Sequence, residues 1–211
     1  IRTPSGAGLN AGPQHSQSLE AWFAHVPGLK VVMPGTPYDV KGILKSAIRD
    51  DNPVIVVEHK ALYALKGEIP EEECLVPIGK AYVKNEGADV TVVAVSKMVH
   101  ESLKAAELLS KEGISVEVID LLTVSPWDRE TVFSSVGKTH RLVVAHEAVK
   151  SFGMGAEVSA AVSEEIMDEL DAPIMRIGGP FVPIPFSLEK AYLPNADHII
   201  TAVKKTMERT F

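Results

Sequence analysis

The chain has little of what several protein classes require. It has one cysteine, Cys74, in 211 residues, which excludes an intrachain disulfide framework and makes a reducing, cytoplasmic setting the expected one. Positive charge is scarce: 21 Lys and Arg stand against 28 Asp and Glu, for a net charge of −7. A phosphate backbone needs a basic face, so nucleic acid is not expected as a partner, whereas a basic protein surface suits an acidic one. No apolar run approaches the roughly 20 residues of a helical membrane span, and the first residues show no basic segment followed by an apolar one. No membrane partner is therefore expected. Zinc-like spacing of histidines with thiols or carboxylates is missing too, as are a nucleophile elbow and a Walker loop. The remainder is 45% hydrophobic and 23% charged, with 15 Gly and 14 Pro. That is the composition of a globular chain of one large domain or two small ones.

Hydrophobic patterning divides the chain into two α/β blocks: residues 1–60, a connector over 61–80, and residues 81–211. Ile1-Arg2-Thr3-Pro4 reads as the end of a strand entering a loop, and a strand end needs a sheet to join. A helix is predicted to start at Ser16 or Ser18, with Leu19, Trp22 and Phe23 on its buried side and Pro27-Gly28 as its end. Strands follow at 29–33 and 54–57, as continuous apolar runs of the kind buried in parallel sheets, with a helix over 38–49 between them. The connector alternates without a stable period, and Glu71-Glu72-Glu73 reads as a solvated face. In the second block strands are predicted at 90–95, along Val116, Val118 and Leu121, at 142–145 and at 174–177. Helices lie between them: a Val99, Leu103, Ala106, Leu109 stripe capped by Ser96 and stopped by Gly113, another opened by Pro126-Trp127-Asp128, a third over 155–167, and a last over 196–207. Strands separated by crossover helices imply a largely parallel sheet covered on both faces.

His15 stands out among the polar residues. It sits in an irregular loop between a glycine-rich run, residues 5–12, and the first helix. Loops on a rigid scaffold carry chemistry, and histidine exchanges protons near neutral pH. A histidine that caps a helix would look the same in sequence. The glycines Gly6, Gly8 and Gly12 follow a strand, but the third is one residue late for a dinucleotide fingerprint and Pro13 follows at once. The next strand also ends in Met33-Pro34 rather than a carboxylate, so a simpler use is close backbone approach to a neighbouring chain or ligand. His59 and His146 fall at the ends of predicted strands, where α/β proteins build sites, and read as satisfied histidines near a subunit contact. His25, His100, His140 and His198 receive no role. Arg49-Asp50-Asp51-Asn52-Pro53 forms a turn in which helix-end carbonyls beside Asp and Asn oxygens also suit a hard cation.

GPQHSQSLEAWFAHVPGLKVVMPGTPYDVKGILKSAIRDDNPVIVVEHK, residues 12–60, resembles the beta subunit of the thiamine-diphosphate-dependent decarboxylase component of 2-oxo acid dehydrogenase complexes. The similarity resumes at GEIPEEECLVPIGKA (67–81), LLSKEGISVEVIDLLTVSPWD (108–128) and GGPFVPIPFSLEKAYLP (178–194), and covers essentially all 211 residues. The resemblance implies the end of a pyrimidine-binding-type domain followed by a transketolase C-terminal-like, three-layer α/β/α domain with a mostly parallel sheet. It implies thiamine diphosphate shared with an alpha subunit that holds magnesium, and oxidative decarboxylation or cleavage with acyl transfer to a lipoyl group. It puts His15 beside the cofactor's thiazolium, handling protons or substrate charge. It also implies a structural potassium ion on the backbone carbonyls of Ala47 and Ile48 with Asp50 and Asn52, a further ligand lying before Ile1.

The partners so implied are the alpha subunit, a second beta subunit and a lipoyl acyltransferase core. EHKALYALKGEIPEEE (58–73) resembles the pyruvate and acetoin members most, and branched-chain substrates stay open. Transketolase and deoxyxylulose-phosphate synthase share these domains, but the QHSQSLEAWFAHVPGL phrase argues against both; a dimerisation module without catalysis is the non-enzyme alternative. In the family the glutamate that binds the aminopyrimidine precedes the stretch matched here. The sequence is therefore expected to be part of a longer subunit, inactive alone.

Overall fold

The structure is a computed structural model that describes residues 1–209, so positions 210 and 211 of the expected second domain lie outside the described residues. In chain order the first half holds β1 (Arg2–Ser5), α1 (Gly12–His15), α2 (Glu20–Ala24), β2 (Lys30–Val32), α3 (Pro37–Arg49) and β3 (Val54–His59). The second holds β4 (Tyr82–Asn85), β5 (Val90–Ala94), α4 (Lys97–Ser110), β6 (Val116–Asp120), β7 (Thr123–Ser125), α5 (Arg129–Thr139), β8 (Leu142–Val149), α6 (Met154–Glu165), β9 (Met175–Gly179), α7 (Glu189–Tyr192) and α8 (Ala196–Glu208). Among the described residues no helix is long and apolar enough to cross a membrane.

Continuous apolar runs become central strands. All six residues of β3 are buried, and β3 lies between β1 and β2, parallel to both, in a sheet ordered β1-β3-β2-β7. The expected strand end at the start of the chain thus has its sheet: Arg2 pairs with Val56 and Ser5 with His59. The larger sheet is ordered β4-β6-β5-β8-β9, parallel except for β4 against β6. One face packs Val92, Val118 and Val143 against Met98 and Leu109 of α4 and Ile199 and Val203 of α8. The other packs Val93, Ile119 and Val144 against Val132 and Val136 of α5 and Val158 and Val162 of α6. This is the three-layer arrangement expected. The second core also takes in Val31, Met33, Ile55 and Val57 from the smaller sheet. Each such side chain, fully buried, contributes roughly 1.5–3 kcal/mol.

Local chemistry sets the helix starts. Thr36 caps α3 by accepting from the Asp39 N–H at 3.1 Å, with Pro37 at the first turn. Asp128 caps α5 by accepting from the Thr131 N–H at 3.2 Å, so the helix starts just past the predicted Pro126-Trp127-Asp128 opening. Asn195 and His198 form a capping box on α8. Ser96 does not cap α4: it has φ +51° and its hydroxyl donates instead to the Pro34 carbonyl at 3.4 Å.

Several elements depart from expectation, among them the helical turn α1 where a loop was expected, and β4 and α7. The helix predicted from Ser16 or Ser18 is only Glu20–Ala24; Trp22 is 73% exposed, and Glu20 takes the buried position. A five-residue helix is too short to present a full apolar stripe. β7 was not expected at all: it runs antiparallel to β2, so a segment of the second block completes the first sheet. β8 continues past 145 to Val149 and carries His146 and Glu147 inside the fold.

Candidate active site

β1 ends at Ser5 and releases the glycine-rich loop at the carboxyl edge of the parallel strands β1, β3 and β2. Crevices beyond that edge are where open α/β sheets bind ligands. Along the loop Gly6, Gly8, Asn10 and Gly12 all have positive φ, at 85°, 106°, 54° and 70°. Alternation of left-handed residues with ordinary ones turns successive N–H groups toward one side and makes a concave, anion-binding backbone. Only glycine takes three of these positions without strain.

The anion is supplied by the protein itself. Glu189, the first residue of α7, is fully buried. Its Oε2 accepts from the Gly8 and Asn10 N–H groups, each at 2.8 Å, and its Oε1 from those of Ala11 at 2.9 Å and Gly12 at 3.1 Å. The Ser16 hydroxyl donates to the same Oε1. Burial would raise this carboxyl, but the Ser16 hydroxyl and the amides of Gly8, Asn10 and Gly12 outweigh it and hold it down at about 2. The close backbone approach expected of the glycines is present, but it is to a side chain from the far end of the same chain rather than to a neighbouring chain or ligand.

Two further acids lie under the loop. Glu147 accepts from the Ala7 N–H at 2.6 Å and bonds His59 Nε2 at 2.9 Å, with Lys97 Nζ at 3.7 Å. Burial works to raise it, yet His59, the Ala7 amide and Lys97 bring it below its ordinary value. Gly6 is what lets the loop pass over this pair, since a Cβ there would lie 2.3 Å from His59 Nε2. Glu20 is buried with Oε2 unpartnered. Burial, with the charge of Glu147 in addition, pushes it up to about 7.

His15 is the last residue of α1 and its side chain is exposed. Beside this turn opens a cavity of about 610 Å³, bordered by Ser16, Leu19, Trp22, Phe152, Phe181 and Tyr192. His15 stands outside that lining, between the lining residues Pro13 and Ser16.

The residues expected to hold potassium gather at the end of α3. Asp50 follows the helix; its Oδ1 accepts from Asn52 N–H at 2.9 Å and from Asn52 Nδ2 at 3.1 Å, while Oδ2 pairs with Lys30 Nζ at 2.5 Å. The Lys30 hydrogen bond, then the Asn52 amide, takes Asp50 down to about 2. Ala47 and Ile48 sit in the last turn, whose carbonyls lack intrahelical partners. No group of three or more His, Cys, Asp and Glu able to hold a metal occurs among the described residues.

Of the remaining histidines, His59 is bonded as described, whereas His146 is fully buried with neither ring nitrogen partnered. Burial lowers it to about 4. His100 bonds the Gly35 carbonyl at 2.8 Å, and His140 adopts the left-handed residue that ends α5.

This architecture agrees with the family comparisons. Residues 1–66 match the transketolase pyrimidine binding domain, and residues 79–199, more than half the chain, match the transketolase C-terminal domain. The chain belongs to the transketolase C-terminal domain family. It is 47% identical over 210 residues to the pyruvate dehydrogenase E1 component subunit beta of Bacillus subtilis, covering 99% of this chain and 65% of that protein. Against the acetoin:2,6-dichlorophenolindophenol oxidoreductase subunit beta of Cupriavidus necator the identity is 48%, covering 99% and 62%. Against the 2-oxoisovalerate dehydrogenase subunit beta of Bacillus subtilis it is 46%, covering 99% and 65%. The transketolase-family chain thus spans 62% to 65% of the length of these relatives. Among solved structures, a split-gene transketolase described as an inactive beta4 tetramer superposes with a TM-score of 0.82 at 27% identity, over 100% of this chain and 67% of that one. A transketolase mutant from Pichia stipitis shares the fold, with a TM-score of 0.66 at 15% identity over 97% of this chain and 29% of that one.

Proposed function

We propose that this chain is the larger part of the beta subunit of a thiamine-diphosphate-dependent 2-oxo acid dehydrogenase, acting on pyruvate or acetoin. The observation that carries the reading is 47% to 48% identity along 99% of the chain to subunits named for those two activities. The branched-chain relative is only slightly less similar at 46%, so overall identity does not choose among the three substrates.

The described residues fit one side of a shared cofactor site. Glu147 and Glu189 are spent on loop amides, and Glu20 is buried. None of these acids is free for an aminopyrimidine ring, which in this reading is bound by residues before Ile1. Diphosphate and magnesium fall to an alpha subunit. Bound thiamine diphosphate would supply the carbanion and the electron sink for loss of carbon dioxide from pyruvate or of acetaldehyde from acetoin. This chain supplies the exposed His15 imidazole, a ring nitrogen of which carries a proton to, or accepts one from, the substrate oxygen as charge develops there. A second beta subunit and a lipoyl acyltransferase core complete the assembly, in the cytoplasm. The potassium ion over Ala47, Ile48, Asp50 and Asn52 belongs to the same reading as a structural ion.

The test is reconstitution. The full-length protein should bind thiamine diphosphate and turn over pyruvate or acetoin only when an alpha subunit is added. Tight cofactor binding and turnover by the beta subunit alone would defeat the shared-site reading, and transfer of two-carbon units between sugar phosphates would favour the split transketolase instead.

A further inference from the structure

The single-turn helix that carries His15 is too short to hold itself. α1 comprises Gly12–His15, closed by the Ser16 N–H to the Gly12 carbonyl at 3.0 Å and by the solvent-exposed Gln17 side-chain amide donating to the Pro13 carbonyl at 2.5 Å. Isolated turns of this length do not persist in water. Its side chains do not hold it either, since Pro13, Gln14 and His15 are all exposed. What fixes the turn is external, and it acts at both ends. Glu189 receives the Ala11 and Gly12 N–H groups at the start of α1 and the Ser16 hydroxyl at its end. The same carboxylate also gathers Gly8 and Asn10. His15 is therefore strung between two points tied to one carboxylate, which comes from a residue 174 positions further along the chain.

We propose that Glu189 is the positioning residue for His15: its buried carboxylate holds the 8–16 loop in the one shape that presents the imidazole outward. The proposal rests on the reading of His15 as a proton-handling group. Glu189 itself is enclosed and every oxygen is occupied by the loop, so it acts through His15 and does not touch a reacting atom. Carboxylate geometry matters here because a carboxylate is acceptor-only. An amide at this position turns an NH₂ group toward backbone donors, and two of the five donors lose their acceptor.

The test uses the full-length protein assembled with its alpha subunit, as wild type, Glu189→Gln, His15→Ala and the double variant. Glu189→Gln should speed amide exchange about tenfold or more across residues 8–16 while β8 and α8 keep their protection. It should lower kcat about 100-fold, the scale set by small misplacements of catalytic groups, with KM changed less than about threefold. The double variant should be no slower than His15→Ala, as expected for residues acting as one unit. Unchanged exchange in the loop, multiplicative losses in the double variant, or full turnover by Glu189→Gln beside a crippled His15→Ala would overturn the role given to Glu189. Full turnover by His15→Ala would sink the reading of His15, and this proposal with it. If Glu189→Gln does not fold, Ser16→Ala removes one donor only: faster exchange in the loop and a several-fold lower kcat support the proposal, and no change in either overturns it.

Discussion

Glu147 and His59 meet at 2.9 Å between Oε2 and Nε2, and the ring's other nitrogen fixes which of them holds the proton. The Ala61 N–H donates to His59 Nδ1 at 3.2 Å, so Nδ1 is the acceptor and Nε2 carries the hydrogen that Glu147 receives. The pair joins the end of β3 to β8, and it lies directly beneath the glycine loop.

Replacing Glu147 by Gln should therefore destabilise the fold. The carboxylate serves two donors, the Ala7 N–H and His59 Nε2–H, on separate oxygens. An amide serves only one and sets a donor against the other. Leaving a buried donor unpaired costs about 1–3 kcal/mol, readable as a lower midpoint in urea at constant slope. An unchanged midpoint would show that the pair adds nothing to stability.

Glu20 gives a pH signature of opposite sign to Glu189 and Glu147, the other buried acids of the site. Its folded-state value is about 7 against an ordinary 4.5. The fold thus holds the proton more tightly than the unfolded chain, and stability falls as pH rises from 4.5 to about 7. Glu20→Gln removes that penalty, so the variant should gain a few kcal/mol relative to wild type between pH 4.5 and pH 8 and little below. Glu189 works the other way: its value of about 2 means its stabilisation is present above the ordinary carboxylate range and lost as pH falls toward 2. Equal Glu20→Gln effects at pH 4.5 and pH 8 would contradict the assignment.

Exchange of sodium for potassium should raise the melting temperature of the full-length protein by about 2–4 °C if the α3 end binds the ion. Asp50→Ala should remove the difference, although it also removes the Lys30 pair, so the comparison is between salts within each variant. Identical melting in both salts for wild type would contradict the site.

Much of the fold was legible because burial leaves a one-dimensional trace. β3 and β5 are buried along their whole length and read as apolar runs, and β6, equally buried, was legible from Val116 and Val118 at alternate positions. β4 left no such trace: Val83, Lys84 and Asn85 are exposed on an edge strand. β7 has three residues, and its partner β2 lies in the other block. At the site, His15 was visible from its loop, and the glycines gave away a close approach. Glu189 and Glu147 were not, since a buried acid paired to amides more than 130 positions away is written in sequence like any surface acid. The run of alternating left-handed positions at Gly6, Gly8 and Gly12 was the available signal that an anion had to sit there.

The imidazole of residue 15 carries the functional account, and its removal tests that account most directly. In the assembled full-length enzyme, His15→Ala should lower turnover of its 2-oxo acid or acetoin by at least about 100-fold, the lower end of the roughly 10²–10⁴ range of general acid–base groups, while thiamine diphosphate still binds. Turnover and acyl transfer at the wild-type rate would contradict it.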